Sequence, residues 1–152
     1  MGQGPLAHGG APLELEIPSD VAYIEAAVAE VVRRCQAAAF AGRHLAFHIP
    51  VAVTEALSNA ILRGNREDAT KSVRLRVVVD ATTLVVEVED DGSGFDLDAC
   101  TLDPTTRDNL GREDGRGLFL MRRLMDRVEQ FRGSGNVVRM TLHRRSSDDR
   151  AA

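Results

Sequence analysis

The sequence is poor in cysteine, aromatic residues and lysine. Its 152 residues include two cysteines, no tryptophan and only 4% aromatic residues. Two cysteines are too few for a disulfide framework, and Cys35 falls on an apolar helical stripe, so we expect reduced thiols in a cytoplasmic protein. Lys71 is the single lysine. Because no Gly-Lys-Ser/Thr sequence occurs, a P-loop nucleotide site is excluded.

The sequence also lacks a basic excess and a long hydrophobic run. Its formal net charge of −4 gives no support to direct nucleic-acid binding. No apolar run approaches the roughly 20 residues that span a bilayer, and residues 1–12 lack the features of a secretory signal, so we expect no membrane segment. The length and the 43% hydrophobic content predict one domain at residues 13–143. We expect a disordered tail at 1–12 and a polar tail at 144–152.

Alternation of apolar and polar residues predicts five strands. One lies at residues 13–17, and two more, at 73–79 and 84–89, form a hairpin with one buried face. A last hairpin joins 128–131 to 138–142 across a Gly-Ser-Gly-Asn turn.

Apolar residues at helical spacing predict three helices. The first has its apolar stripe at residues 21–35 and ends near Gly42, and the others cover 45–62 and 117–127, with Ser19 or Asp20 capping the first. Residues 100–114 have no clear period, and a loop of that length is often a lid. The order of elements predicts an α+β fold, a two-layer α/β sandwich. In it, about three helices cover one face of a mixed, mostly antiparallel sheet.

Glu55 and Asn59 are four residues apart, so a helix places the carboxylate and the carboxamide on one face. Their neighbours Val53, Ala56 and Leu57 are apolar, and buried acids and amides need partners. A Mg²⁺ ion with its water shell would satisfy both groups. A hydrogen bond from Asn59 to the backbone explains this pair equally well.

The segment Asp90-Asp91-Gly92-Ser93-Gly94 closes a predicted strand. A calcium loop is disfavoured because Gly92 stands where the second ligand should be, and neither glycine segment completes a dinucleotide fingerprint. A plain Asp/Gly turn is a strong alternative. In the functional interpretation, Asp90 accepts a hydrogen bond from an adenine amine, while Gly92 and Gly94 let the backbone approach the ligand.

A second glycine segment, Gly115-Arg116-Gly117, comes immediately before the last predicted helix. Free N–H groups and the positive end of the helix dipole make such a place an anion site. The alternative is a glycine pair that only permits a tight start of the helix. Arg112 and Arg116 are candidates for phosphate contact, although solvation explains one of them better. Taken together, the ordered segments predict a nucleotide site.

The order E-x-x-x-N, D-x-G-x-G, G-x-G resembles the GHKL ATPase superfamily of gyrase, heat-shock chaperones, histidine kinases and mismatch-repair proteins. Within it, residues 54–60 and 117–126 are most similar to bacterial anti-sigma-factor serine kinases. The similarity covers about residues 13–143. It implies an ATP-binding sandwich of the GHKL type.

The resemblance also implies roles for individual residues. Asn59 would ligate Mg²⁺, Asp90 would bind adenine, and Glu55 would take a proton from, or orient, a serine hydroxyl. The implied ATP-binding residues are Asn59, Asp90, Gly92, Gly94, Gly115, Arg116, Gly117 and Leu118. Two places depart from the family pattern. His is frequent near Gly64, where this chain continues with Asn65, and Gly-Thr often precedes the last strand, where Gly135-Asn136 stands here.

The implied partners are a sigma factor and a small anti-sigma-factor antagonist of the STAS fold, whose Ser or Thr is phosphorylated. The kinase would be a homodimer. An ATP-binding regulatory module without phosphotransfer is the second hypothesis, although Glu55 favours a kinase because binding alone needs no base. A histidine-kinase-like ATPase domain is the third. It would need a phosphoacceptor His on a dimerising helix pair, and we expect no segment to supply one.

Overall fold

A computed structural model of the chain describes residues 11–92 and 113–144, without the side chains of residues 113–116. These residues form five strands and three α-helices. The strands are β1 Leu13–Pro18, β2 Ser72–Val79, β3 Thr83–Asp90, β4 Arg127–Arg132 and β5 Asn136–His143. The helices are α1 Ile24–Ala37, α2 Ile49–Asn59 and α3 Glu113–Leu124, with π-helical turns at His44–His48 and Ala60–Gly64 on either side of α2.

The strands form one sheet in the order β1-β2-β3-β5-β4. Every pair within the described residues is antiparallel, so the parallel component expected of a mixed sheet is not seen there. Two of the four pairs, β2–β3 and β4–β5, are hairpins, in which a short connection reverses the strand direction. The three helices pack on one face, as the α+β two-layer prediction requires.

The core lies between the helices and the inward face of the sheet. Alternate residues of β2 and β3 are buried, and α1 contributes Ala27, Val31 and Cys35. Burial raises the pKa of the Cys35 thiol to about 12. Val21, predicted to begin the buried stripe of α1, is instead 46% exposed in a 3₁₀ turn. Asp20 caps that turn by accepting the Ala22 N–H at 2.9 Å.

The helical segment His44–Gly64 is long and apolar enough to span a membrane by length and composition, with a mean hydropathy of 1.4. By this measure, the expectation that no run approaches such a length is wrong. In the fold, the segment buries Ile49, Val53, Leu57 and Ile61 completely. Apolar composition of this kind also suits the central helix of a two-layer domain, which is covered on several sides.

The outward face of the sheet carries a row of charges with alternating sign. Glu14, Arg76, Glu87, Arg139 and Glu129 are successive cross-strand neighbours over all five strands. Arg139 lies 2.8 Å from Glu87, and Arg76 lies 3.2 Å from Glu14. Such exposed pairs contribute less than about 1 kcal/mol each. They keep the uncovered face polar.

Candidate nucleotide site

Two helices bring the Glu55–Asn59 pair to the second glycine segment. Both residues lie in the second half of α2, and α3 crosses beside them. A β-carbon at Gly117 would overlap Glu55 Oε1 and would lie 3.9 Å from Asn59 Nδ2. The structure therefore places a carboxylate, a carboxamide and a buried turn of helix backbone at one point, although the sequence separates the helix from the other two groups widely.

The Asn59 side-chain amide is buried, and its nitrogen lacks a hydrogen-bond partner within the described residues. The residue is 8% exposed, and within the described part of the chain Nδ2 has no hydrogen-bond partner. The backbone hydrogen bond that offered an alternative explanation of Asn59 is thus not made by Nδ2. A buried amide left in this state costs free energy unless a ligand completes it.

The donor set around Asn59 fits Mg²⁺. Rotating an amide by 180° exchanges its oxygen and nitrogen without changing its shape, so the unpartnered end is able to offer an oxygen. Mg²⁺ prefers oxygen ligands and takes few of them from protein, the rest coming from water and substrate phosphates. The described residues contain no cluster of three or more His, Cys, Asp or Glu side chains suited to a metal ion.

Asp90 ends β3 with its carboxylate buried beneath the last turn of the central helical segment. It is 1% exposed. The Gly92 N–H donates to Oδ1 at 2.9 Å, and Asn136 Nδ2 donates to Oδ2 at 3.3 Å. Burial raises the pKa of Asp90 above its ordinary value, while the hydrogen bonds from Gly92 and Asn136 oppose the shift. A desolvated acceptor of this kind forms strong hydrogen bonds with a ligand amine.

Three glycines near Asp90 stand where a β-carbon would find no room. A β-carbon at Gly64 would overlap the Asp90 carboxylate, and one at Gly135 would overlap the Asp90 carbonyl oxygen. One at Gly92 would overlap the carbonyl oxygen of Gly64. Gly92, predicted to let the backbone approach a ligand, also leaves room for the Gly64 backbone. The parts played by Gly64 and Gly135 were not predicted, because each contact is with a residue distant in sequence.

Asn65, at the place where the family often has His, is a structural residue. It is 1% exposed, and its Oδ1 accepts the Asp91 N–H at 2.7 Å. Its Nδ2 donates to Ser19 Oγ and to the Ser72 carbonyl, both at 2.9 Å. It therefore ties the loop after Asp90 to the ends of β1 and β2. Next to it opens a cleft of about 560 Å³, lined by Gly64, Asn65, Arg66, Asp68, Lys71 and Gly92.

The second glycine segment lies inside a helix and not before one. Because α3 begins at Glu113, both Gly115 and Gly117 are helical, and the predicted start at Gly117 is wrong by one turn. The free N–H groups of the first turn then belong to residues 113–116. Leu118, the last of the implied ATP-binding residues, is fully buried. Gly94, the Arg116 side chain, and residues 100–112 of the predicted lid lie outside the described part.

The chain is similar to a known protein family and to individual known proteins. A family model described as the histidine kinase-like ATPase domain matches residues 17–142. Serine-protein kinase RsbW of Bacillus subtilis is 39% identical over 101 residues, which cover 62% of this chain and 62% of that protein. Serine-protein kinase RsbW of Halalkalibacterium halodurans is 34% identical over 115 residues, covering 67% and 66% respectively.

The chain thus spans less than two thirds of the length of these two relatives. The family model is broader, since it covers almost all of the five strands and three helices described above. The resemblance to GHKL ATPases that the motifs indicated is confirmed, and the chain belongs to the histidine kinase-like ATPase domain family.

Proposed function

We propose that the chain is an ATP-dependent serine/threonine protein kinase and anti-sigma factor. It binds Mg·ATP, phosphorylates a STAS-type anti-sigma-factor antagonist, and sequesters a sigma factor in the cytoplasm as a homodimer. The carrying observation is that Glu55 and Asn59 converge on α3 at Gly117. This geometry puts a proton acceptor and a candidate cation ligand beside the same stretch of backbone, as phosphoryl transfer to a hydroxyl needs.

In the proposed reaction, Glu55 accepts the proton of the acceptor serine hydroxyl. The serine oxygen forms a bond to the γ-phosphorus, the bond from that phosphorus to the β–γ bridging oxygen breaks, and ADP leaves. Asn59 would hold Mg²⁺ through its amide, and the bound ion would supply charge neutralisation on the phosphates. Glu55 is suited to its part because it is half-buried and therefore less solvated than a surface carboxylate.

Adenine recognition is assigned to Asp90. Its carboxylate is fixed by Gly92 and Asn136 and is enclosed by glycine backbone, so it is held in one orientation before a ligand arrives. A preoriented acceptor loses little conformational entropy on binding an exocyclic amine. The names of the two relatives, both serine-protein kinases, support the assignment of ATP as phosphate donor.

The test is a phosphotransfer assay on proteins that copurify with the chain from its native host. Labelled ATP and Mg²⁺ are added, and the labelled peptides are mapped for phosphoserine and phosphothreonine. We expect label on one small protein in a reaction that Glu55→Gln suppresses. If the wild-type chain binds ATP but labels no protein, the kinase proposal fails and a nucleotide-dependent binding module takes its place.

A further inference from the structure

A cleft lies between the π-helical turn that precedes α2 and the second half of α3. Its volume is about 550 Å³, and small-molecule sites typically occupy about 300–1,000 Å³. Four apolar side chains line it: Phe47, Phe119, Leu120 and Leu124. Its other lining residues are basic, and among the described residues no carboxylate lines it. The cleft is therefore an apolar hollow of ligand size whose walls carry positive charge alone.

Two arginines come from the two elements that form the cleft. Arg43 precedes the π-helical turn, and Arg123 lies on α3. Both are exposed, and within the described residues neither has an ion pair or a hydrogen bond. Five arginines elsewhere lie 2.5–3.3 Å from a carboxylate oxygen: Arg33, Arg74, Arg76, Arg127 and Arg139. The two guanidinium groups at the cleft are thus available to an anion that is not part of the described fold.

The Arg123 guanidinium is held in place by an aromatic ring. Its Cζ lies over the Phe119 ring, 5.4 Å from the centroid. Stacking of this kind leaves the N–H groups at the edge of the guanidinium plane able to donate. Those donors form a rigid fork that matches the two oxygens of a carboxylate. A carboxylate bound to Arg123 would therefore lie beside the apolar wall of the cleft.

The π-helical turn His44–His48 forms the other wall. Such turns are rare and are frequently found at functional sites. This one leaves Phe47 52% exposed at the cleft. It also places His48 in the wall, with Nδ1 buried and without a hydrogen-bond partner within the described residues. An apolar residue at 48 would avoid that desolvation cost, so a basic residue there is better explained by a ligand than by packing.

The surroundings of the cleft favour a small molecule over a protein. The described part of the chain has five exposed large hydrophobic residues, and of these Phe47 alone lines the cleft. A protein interface of standard size covers about 800 Å² on each partner and has an apolar centre. One exposed phenylalanine does not supply such a centre.

We infer that this cleft is a second binding site, which takes a small organic carboxylate with an apolar body. The carboxylate pairs with the guanidinium groups of Arg43 and Arg123, and the body packs on the apolar wall. The site is distinct from the proposed nucleotide site, because His48 precedes Glu55 by seven residues, about 10 Å along a helix. None of the lining residues is a proposed ATP-binding or catalytic residue, so the inference does not rest on the proposed function.

The test measures the binding of decanoate by calorimetry, without nucleotide and below the micelle concentration. Decanol is the matched probe, because it has the same chain but no charge. We expect the wild type to bind decanoate about tenfold more tightly than decanol. The double variant Arg43→Gln, Arg123→Gln should lose that difference and keep its affinity for decanol. Phe47→Ala should weaken the binding of both probes, since it removes part of the apolar wall.

Arg122→Gln is the matched control variant. Arg122 is exposed on α3 next to Arg123, but it does not line the cleft. Its removal takes away the same charge, so a general electrostatic attraction would fall equally in Arg122→Gln and Arg123→Gln. We expect the decanoate affinity of Arg122→Gln to stay within about twofold of wild type. All three arginines are exposed, so these variants should fold.

Three outcomes would overturn the inference. The first is that the wild type fails to bind decanoate, or binds decanol as tightly. The second is a loss in Arg122→Gln as large as the loss in Arg123→Gln. The third is that the double variant keeps its decanoate affinity but no longer copurifies with a protein that the wild type retains, which would make the cleft a protein-docking site. These measurements need no ATP, so failure of the proposed kinase activity would leave their results unchanged.

Discussion

The Glu55 carboxylate lies against the α-carbon of Gly117, so closely that a β-carbon there would overlap Oε1. The contact joins the end of α2 to the second turn of α3. It also explains why a glycine stands inside a helix, where it costs about 1 kcal/mol relative to alanine. The glycine leaves room for a carboxylate that has to stay in place.

Gly117→Ala should therefore change stability and phosphotransfer in opposite directions. The free energy of unfolding should rise by up to about 1 kcal/mol, because the residue is helical. Transfer should fall at least about tenfold, since the methyl group displaces the proposed base. Urea unfolding and the phosphotransfer assay check the two parts. In a Glu55→Gln background, Gly117→Ala should have little further effect on transfer, and an additive loss would contradict this account.

Glu55→Gln should abolish most phosphotransfer while ATP binding survives. The amide keeps the size and reach of the carboxylate but accepts no proton. A positioned base contributes typically 10²–10⁴-fold, so the transfer rate should fall by roughly that range. Calorimetry should give ATP affinity within about twofold of wild type, and binding of a sequestered partner should be unchanged. Transfer at the wild-type rate would show that Glu55 is not the base.

Asn59→Ala should remove Mg-dependent ATP binding without unfolding the domain. The Asn59 nitrogen has no hydrogen-bond partner in the described structure, so its removal breaks no bond that stabilises the fold. We expect the free energy of unfolding to change by less than about 1 kcal/mol. ATP affinity is measured with Mg²⁺ and with EDTA. The wild type should lose affinity in EDTA and the variant should not. A collapse of the thermal transition would instead make Asn59 a structural residue.

Asp90→Asn should weaken ATP binding while sparing stability at neutral pH. Loss of a charge-assisted hydrogen bond costs on the order of 1.5–3 kcal/mol, about ten- to a hundredfold in affinity. The free energy of unfolding should respond to this change in the opposite direction to ATP affinity. Because burial raises the pKa of Asp90 above 3.8, the folded chain holds this proton longer than the unfolded chain. Wild-type stability therefore falls as the pH rises from that value through the folded pKa.

The Asn variant lacks this titration. Its free energy of unfolding, relative to wild type, should increase as the pH rises above 3.8 and then stay constant above the raised pKa of Asp90. Urea unfolding at several pH values measures the difference. Equal ATP affinity in the two proteins would remove Asp90 from the base site. If the difference in free energy of unfolding between wild type and Asp90→Asn does not vary with pH, burial does not raise the pKa of Asp90.

Asn65→Ala should destabilise the domain without any direct effect on a ligand. It removes three hydrogen bonds from a side chain that is 1% exposed, leaving the Asp91 N–H and the Ser72 carbonyl without this partner. Such a loss costs about 1–3 kcal/mol. Exposed Asp68, in the following turn, offers a control as Asp68→Ala, which should cost less. Equal effects in urea unfolding would show that the Asn65 bonds contribute little.

Local pattern predicted most elements because each depends on periodicity within a few residues. The strands around Val77 and Val86 and the cap at Asp20 are of this kind. The start of α3 was predicted too late, because Gly115 and Gly117 have low intrinsic helix propensity and only packing against α2 offsets it. The helix predicted at residues 45–62 covers α2 and most of the two π-helical turns beside it, but nothing in the pattern indicated that these turns are π-helical.

The site residues also differ in whether a local pattern was able to predict them. Glu55, Asn59 and Asp90 were predicted from spacing and from a resemblance, and the structure gives each a geometry that suits the role. Gly135 and Asn65 were not predicted to be structurally important. Their contacts are with Asp90 and Asp91, far away in sequence, and a single sequence carries no record of which residues meet in space.

The glycines around Asp90 also decide how this domain tolerates genetic change. Any missense codon at position 64, 92 or 135 adds at least one carbon atom where backbone or carboxylate already lies. A library of all single substitutions should therefore show no conservative exchange at these three positions. Two of them follow or precede strands, in places where loops usually accept variation. Sequence change around Asp90 is thus confined to side chains, while the backbone that encloses its carboxylate stays fixed.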